Sequence, residues 1–241
     1  MVAELIPSLE LIGRPEALNP LPGLQTPLPV GSVPTDLVGT ITAHGMGTTR
    51  ALDLYRSFVV ANSNAQGDVR SLAYVPNAPC AEAVLLDRML ADATFMGTSW
   101  QEASGAVAAE NAALRWLANL IGFDQAAGGT FVSGGTIANV TALAVAANRA
   151  RSRWPGAVLA VAASSEVHSS VRMAARMLGL RFVELPVDAD FRLTADAVRV
   201  LDGVNPVRVC AVVVTAGTTN IGAIDDLRGI GAWCRERGIW M

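Results

Sequence analysis

Thr130-Phe131-Val132-Ser133-Gly134-Gly135-Thr136-Ile137-Ala138-Asn139 is the stretch from which the rest of this chain can be read. A short segment meets two glycines, and an apolar, helix-patterned run follows directly, over 136–151. A phosphate dianion needs several backbone N–H donors converging without side chains in the way, together with the positive end of a helix dipole. Ser133 to Thr136 offers both, and the hydroxyls of Ser133 and Thr136 are further donors. Paired glycines before a helix are by themselves no more than a tight turn. No Gly-Lys-Ser/Thr follows, so this is not a Walker-type loop, nor does it read Gly-x-Gly-x-x-Gly.

Beyond Pro155-Gly156 the pattern predicts strand 157–162, helix 169–178, strand 181–186, helix 194–201, strand 207–215 and helix 226–237. Strand alternating with helix means a mostly parallel sheet with helices on both faces, an α/β fold. In such sheets ligands gather beyond the carboxyl ends of the strands, and both His168 and Thr218-Thr219 fall there. Upstream, residues 1–35 are rich in Pro and Gly and read as an arm. The pattern turns helical from Thr35 through Leu37 and Ile41, and again from Leu52 to Val60, with a loop from His44 to Thr49 between. A short extended piece is predicted from Leu72 to Pro79, then amphipathic helices over 80–95 and 107–121, the second stopped by Gly122. The domain organisation expected is an arm with a helical segment over 1–100 and an α/β unit over 101–241.

With 241 residues, 51% apolar and 16% charged, the chain can bury one large core or two modest ones. A net charge of -3 with scattered arginines argues against a nucleic-acid surface, and nucleic acid is not an expected partner. The sequence contains no lysine: all 18 basic residues are arginine, so no side chain here forms an imine with a carbonyl. Cys80, Cys210 and Cys234 are odd in number and lack the short spacing of zinc sites, which predicts reduced thiols, no metal and a cytoplasmic setting. The first residues lack a basic region followed by an apolar core, and no apolar run is long enough to span a bilayer.

His168 follows a predicted strand among Ser164, Ser165, Ser169 and Ser170, where an imidazole can stack on a flat aromatic ligand or relay a proton. His44 sits in a glycine-rich loop with no partner at any informative spacing, and no function is assigned to it. The buried strand ending at Thr215 breaks into Ala216-Gly217-Thr218-Thr219, whose hydroxyls face the same edge. Asp225 and Asp226 precede the last helix, and one of them is expected to cap it.

Three segments in order, Ser133 to Asn139, Glu166 to Ser170 and Ala216 to Asp225, resemble the group II pyridoxal-phosphate-dependent amino-acid decarboxylases. The resemblance extends over about 71–241 and includes the aromatic-amino-acid, histidine and glutamate decarboxylases. It implies a fold type I pyridoxal-phosphate enzyme with pyridoxal 5'-phosphate as cofactor, an amino-acid substrate and a homodimer. By the same resemblance, Gly134, Gly135 and Thr136 hold the cofactor phosphate, His168 stacks over the ring as the catalytic residue, and Thr219 lies beside the cofactor. Asp225 matches an aspartate that helps arrange the pocket, and Glu110 matches a glutamate read here as structural.

In the family, the stretch matching Arg237 to Met241 runs on into an aspartate that pairs with the pyridine nitrogen, and later into the Schiff-base lysine. Neither is among these residues, so the chain is expected to be the N-terminal and cofactor-binding portion of a decarboxylase, inactive alone. A sheet lacking its next strand exposes an edge and apolar helix surface, which predicts association or poor solubility. Two alternatives remain open: another fold type I enzyme, such as a carbon–carbon or carbon–sulfur lyase or an aminotransferase, and a lysine-free, non-catalytic protein.

Overall fold

The computed structural model describes residues 35–63, 80–203 and 208–241, with Leu28 and Gly31. Most of the expected arm and the extended piece from Leu72 to Pro79 lie outside the described residues. The chain forms two compact units, Met1–Ser104 and Gly105–Met241.

In the first unit, the helical run expected through Leu37 and Ile41 is only a 3₁₀ turn over Thr35–Leu37, and Ile41 is 97% exposed. Helix α1 (Thr48–Leu54) takes in Thr48 and Thr49, which the sequence pattern places in a loop, and continues as a π-helical turn over Tyr55–Val60. Two adjacent threonines are poor helix formers in isolation, but Gly47, at φ 81°, lets the chain turn into the helix just before them. Helix α2 (Ala81–Ala93) is capped at its end by Thr94 in the left-handed conformation, φ 48°.

Helix α3 (Trp100–Leu120) begins about two turns before the predicted 107–121, because the chain is already helical from Trp100, with a kink at Ala103, φ -140°. The neighbouring Ser104-Gly105 pair is the local weakness that permits the kink. Trp116, Leu120, Ile121 and Phe123, at and just beyond its end, are exposed. So large an apolar patch predicts that the isolated chain self-associates. Sedimentation showing a monodisperse monomer at micromolar concentration would oppose this.

The second unit is built on three parallel strands, β1 (Leu159–Ser164), β2 (Arg181–Leu185) and β3 (Arg208–Val213), in the order β2-β1-β3. Every residue of central β1 is buried, as a parallel strand covered on both faces requires. Helices α4 (Gly135–Arg153) and α5 (Ser169–Met177) cover one face through Leu143, Ala146, Ala147 and Ala150, and Val171, Ala174 and Ala175. These positions recur at i, i+3, i+4 and i+7, one stripe of a helix, and alanine lets the helices approach the sheet closely. The opposite face packs Val209 and Val212 of β3 and Leu185 of β2 against Val198 of α6 (Ala195–Val198), and against Ile230, Trp233 and Cys234 of α7 (Leu227–Arg237). The helix expected over 194–201 is thus one α turn that tightens into a 3₁₀ segment over Arg199–Gly203.

Strand β1 starts two residues later than predicted, since Ala157 follows the turn at Gly156, φ 77°. A register irregularity beside Ala160 and Val161 turns both Cys210 and Ala211 of β3 toward the α4–α5 face. Cys210 and Cys234 are buried, and burial pushes both thiols up, Cys234 to about 11. Stability from the buried neutral thiol of Cys234 is therefore fully present below pH 9.0 and lost as the pH rises toward 11. Native protein is expected to expose one thiol, Cys80, to an alkylating reagent, and all three only after denaturation. Mass analysis of both samples checks this; alkylation of Cys210 or Cys234 in native protein would contradict their burial.

Candidate functional site at the strand switch point

Strand order places the site. From β1 the chain crosses through α5 to β2 on one side, and from β2 it returns through α6 to β3 on the other side of β1. The loops leaving β1 and β3 therefore diverge, and a crevice opens beyond their carboxyl ends. Along β3 this region contains a cleft of about 140 Å3 lined by Asn139, Leu143, Val171, Val212, Val213 and Trp240. Trp240 pairs with the outer edge of β3, its carbonyl accepting from Val212 N–H at 2.9 Å.

The glycine turn enters the same edge as the N-terminus of α4. Gly134 is the N-cap at φ 155°, ψ 171°, a conformation that only glycine adopts without strain, and its carbonyl accepts the first helical bond, from Ala138 N–H at 3.0 Å. Gly135 has ordinary dihedrals, and a Cβ built there would meet nothing within 4 Å. No side chain caps α4 and no acidic residue lies in its first turn. The three helices that follow are each capped by a side chain: α5 by His168, α6 by Thr194 and α7 by Asp226. The first N–H groups of α4 are thus left without side-chain acceptors beside open space, an arrangement suited to an anion. The run before the turn is anchored by Glu110 of α3, whose Oε1 accepts from Phe131 N–H at 3.1 Å.

His168 follows β1 directly and caps α5: its Nδ1 accepts from Ser170 N–H at 3.3 Å and lies 2.7 Å from Ser170 Oγ. Ser170 is buried, and its Oγ accepts from Asn139 Nδ2 at 2.8 Å. Asn139 stands one turn into α4, so the structure links the glycine-turn helix to His168 through two polar side chains. Sequence reading missed this pair, although both residues lie inside the quoted motifs. The available signal was a polar residue in the first turns of two helices whose inward faces are otherwise alanine and aliphatic.

The loop after β3 closes on itself. Thr218 is buried, with its N–H donating to Ala223 O at 2.9 Å and its Oγ1 accepting from Ala223 N–H at 3.1 Å, whereas Thr219 is exposed. The two adjacent hydroxyls therefore differ: Thr218 shapes the loop, and Thr219 remains available to a ligand at this edge. Asp225 is 4% exposed and both its oxygens are committed, Oδ1 accepting from Leu193 N–H at 2.8 Å and Oδ2 from Thr215 N–H at 2.7 Å. It fixes the loop and the segment before α6 to each other. Asp226, not Asp225, caps α7, accepting from Gly229 N–H at 2.8 Å. His44 is exposed in the other unit. Among the described residues no group of three or more His, Cys, Asp and Glu is placed to hold a metal ion.

An open parallel sheet with a strand-end crevice, a glycine-opened helix without a side-chain cap, and an imidazole linked to that helix through Ser170 and Asn139 mark a protein of the open α/β class. The chain belongs to the pyridoxal-dependent decarboxylase family, whose conserved-domain model matches residues 56–241. It is 31% identical to the aromatic-L-amino-acid decarboxylase of Bacillus atrophaeus over 176 residues, covering 70% of this chain and 36% of that protein. It is 32% identical to the L-2,4-diaminobutyrate decarboxylase of Rhizobium meliloti (strain 1021) over 207 residues, covering 82% and 41%. The chain thus spans roughly two-fifths of the length of these relatives.

Solved structures share the fold. Rhodiola rosea 4-hydroxyphenylacetaldehyde synthase superposes with a TM-score of 0.81 at 21% identity, over 99% of this chain and 55% of that one. Oryza sativa TDC with PLP and tryptamine gives 0.73 at 22% identity, over 99% and 51%. The fold is that of the fold type I pyridoxal-phosphate enzymes, as the sequence resemblance implied.

Proposed function

We propose that this chain supplies the phosphate- and ring-binding part of a pyridoxal-phosphate-dependent decarboxylase that converts an L-amino acid to an amine and carbon dioxide. The observation that carries this reading is the side-chain-free N-terminus of α4, with open space over Gly135, tied through Asn139 and Ser170 to His168. The residues present fit the phosphate and ring ends of the cofactor, whereas none of the 241 is a lysine that would hold its aldehyde. When bound, pyridoxal phosphate supplies an electron sink for the electron pair left by departing carbon dioxide.

The chain's own part is binding and orientation. Backbone N–H groups of Gly135 and Thr136, with the Thr136 hydroxyl, hold the phosphate in the field of the α4 dipole. His168 covers one face of the ring, and Thr219 approaches from the β3 loop. Asp225 acts from behind, keeping that loop in place through backbone donors rather than by touching the ligand. Homodimerisation and a cytoplasmic location belong to the same reading. The second is supported by the free cysteines, and by the absence, among the described residues, of a helix long and apolar enough to cross a membrane.

Gly135→Asp tests the phosphate assignment. The new side chain enters open space and adds a carboxylate at a helix N-terminus, which leaves the thermal midpoint unchanged or raises it. The same carboxylate repels a phosphate, so affinity for pyridoxal phosphate, read by equilibrium dialysis, is expected to fall at least about tenfold, or about 1.4 kcal/mol. Undiminished affinity in a stable variant would remove the phosphate from this turn.

A further inference from the structure

The contacts around Ser170 assign the direction of every hydrogen in them. Ser170 N–H donates to His168 Nδ1 at 3.3 Å, so Nδ1 carries a lone pair; a proton there would set donor against donor. The 2.7 Å approach of Ser170 Oγ to Nδ1 is then the hydroxyl donating to the ring. With its one hydrogen used, Oγ can only accept, so Asn139 must present its NH2 rather than its carbonyl, as the 2.8 Å contact from Nδ2 has it. The bonds run one way, from Asn139 through Ser170 to the imidazole. Ser170 is 3% exposed whereas His168 is exposed, so Nδ1 is turned to a buried hydroxyl and Nε2 lies across the ring from it.

We infer that Asn139 and Ser170 are positioning residues that hold His168 in the Nε2–H tautomer, so that the ring offers an N–H donor, not a lone pair, to an anionic oxygen in the crevice. That this oxygen belongs to an amino-acid carboxylate rests on the proposed function; the tautomer does not. Burial gives the relay its hold, because Ser170 has no water with which to exchange partners.

Reversing the first donor tests it. In Asn139→Asp a carboxylate can only accept, so the Ser170 hydroxyl turns toward it and Oγ accepts from a protonated Nδ1, the short Oγ contact outweighing the longer 3.3 Å bond from Ser170 N–H, which is given up. Ring-15N-histidine protein, with His44→Ala removing the other imidazole, is sedimented and its solid-state 15N spectrum recorded at pH 8. This reads protonation at each ring nitrogen without cofactor and whether or not the chain associates.

The parent spectrum is expected to show Nδ1 unprotonated and Nε2 protonated, and Asn139→Asp to raise the Nδ1–H population at least about tenfold. Adding Ser170→Ala to Asn139→Asp cuts the relay and is expected to return Nδ1 to its unprotonated form. A protonated Nδ1 in the parent overturns the inference, even if a variant fails to fold. So does an Asn139→Asp spectrum like the parent's, or a reversal that survives loss of the Ser170 hydroxyl. Weak pyridoxal-phosphate binding beside the expected tautomers would count against the proposed function and leave the relay standing.

Discussion

Incubating the 241-residue chain with pyridoxal 5'-phosphate and then reducing with borohydride is expected to leave every side chain free of a pyridoxyl group. Imine formation needs an unprotonated amine, and the chain's 18 basic side chains are all arginine, which stays protonated at any working pH. The α-amino group is its one primary amine, so any label found by mass analysis belongs at Met1. The effect is complete rather than graded, and carbon dioxide release from amino acids by this chain alone is expected to stay at the level without protein. Under the proposed function the cofactor is still expected to bind through its phosphate, and Gly135→Asp to weaken that binding without touching the outcome of reduction. A pyridoxyl group on any internal peptide would break this account, as would turnover by the purified chain.

The largest loss of stability is expected from Asp225→Ala. The carboxylate accepts from Leu193 N–H and Thr215 N–H, which belong to different segments, and its own N–H donates to Thr215 O at 3.0 Å. Alanine removes both acceptors and leaves two N–H groups in a site that water reaches poorly; at about 1–3 kcal/mol for each orphaned donor the cost is about 3 kcal/mol. Against a domain stability of about 5–15 kcal/mol this is a large fraction. Asn offers one acceptor and puts a donor opposite the other N–H, so Asp225→Asn is expected to recover little. Urea unfolding followed by circular dichroism measures both, and a midpoint within error of the parent in Asp225→Ala would show that the loop is held by other means. Affinity for pyridoxal phosphate is expected to fall along with stability, because the same bonds set the position of Thr219.

Much of the α/β unit was legible because its signals are local and mutually consistent. The stripe Leu143, Ala146, Ala147, Ala150 reads as one helix face, a run such as Leu159 to Ala163 reads as a fully buried strand, and prolines and glycines punctuate them. The readings that failed lie where local preference is weak. Thr48 and Thr49 entered a helix although they read as loop, and the predicted helix at 194–201 tightened after one turn. The helical reading near Ile41 came from spacing alone, and its side chain lies in the open.

The site divides along the same line. The glycine turn, His168 and the small-residue loop after β3 are recognisable as chemistry from residue type and order, since a phosphate cradle or an exposed imidazole requires particular residues wherever the chain goes. The absence of lysine, and with it of imine chemistry on this chain, is likewise settled by composition. Partnership is another matter. Thr218 and Thr219 are indistinguishable in sequence, and folding buries one and exposes the other; Asp225 and Asp226 are equally plausible caps, and folding gives the cap to Asp226 and two distant backbone N–H groups to Asp225. Asn139 and Ser170 are 31 residues apart, and their bond exists only because α4 and α5 pack side by side on one face of the sheet. Periodicity and turn chemistry act over a few residues and are written along the chain, whereas which buried donor meets which acceptor follows from strand order and helix packing, which bring together residues far apart in sequence.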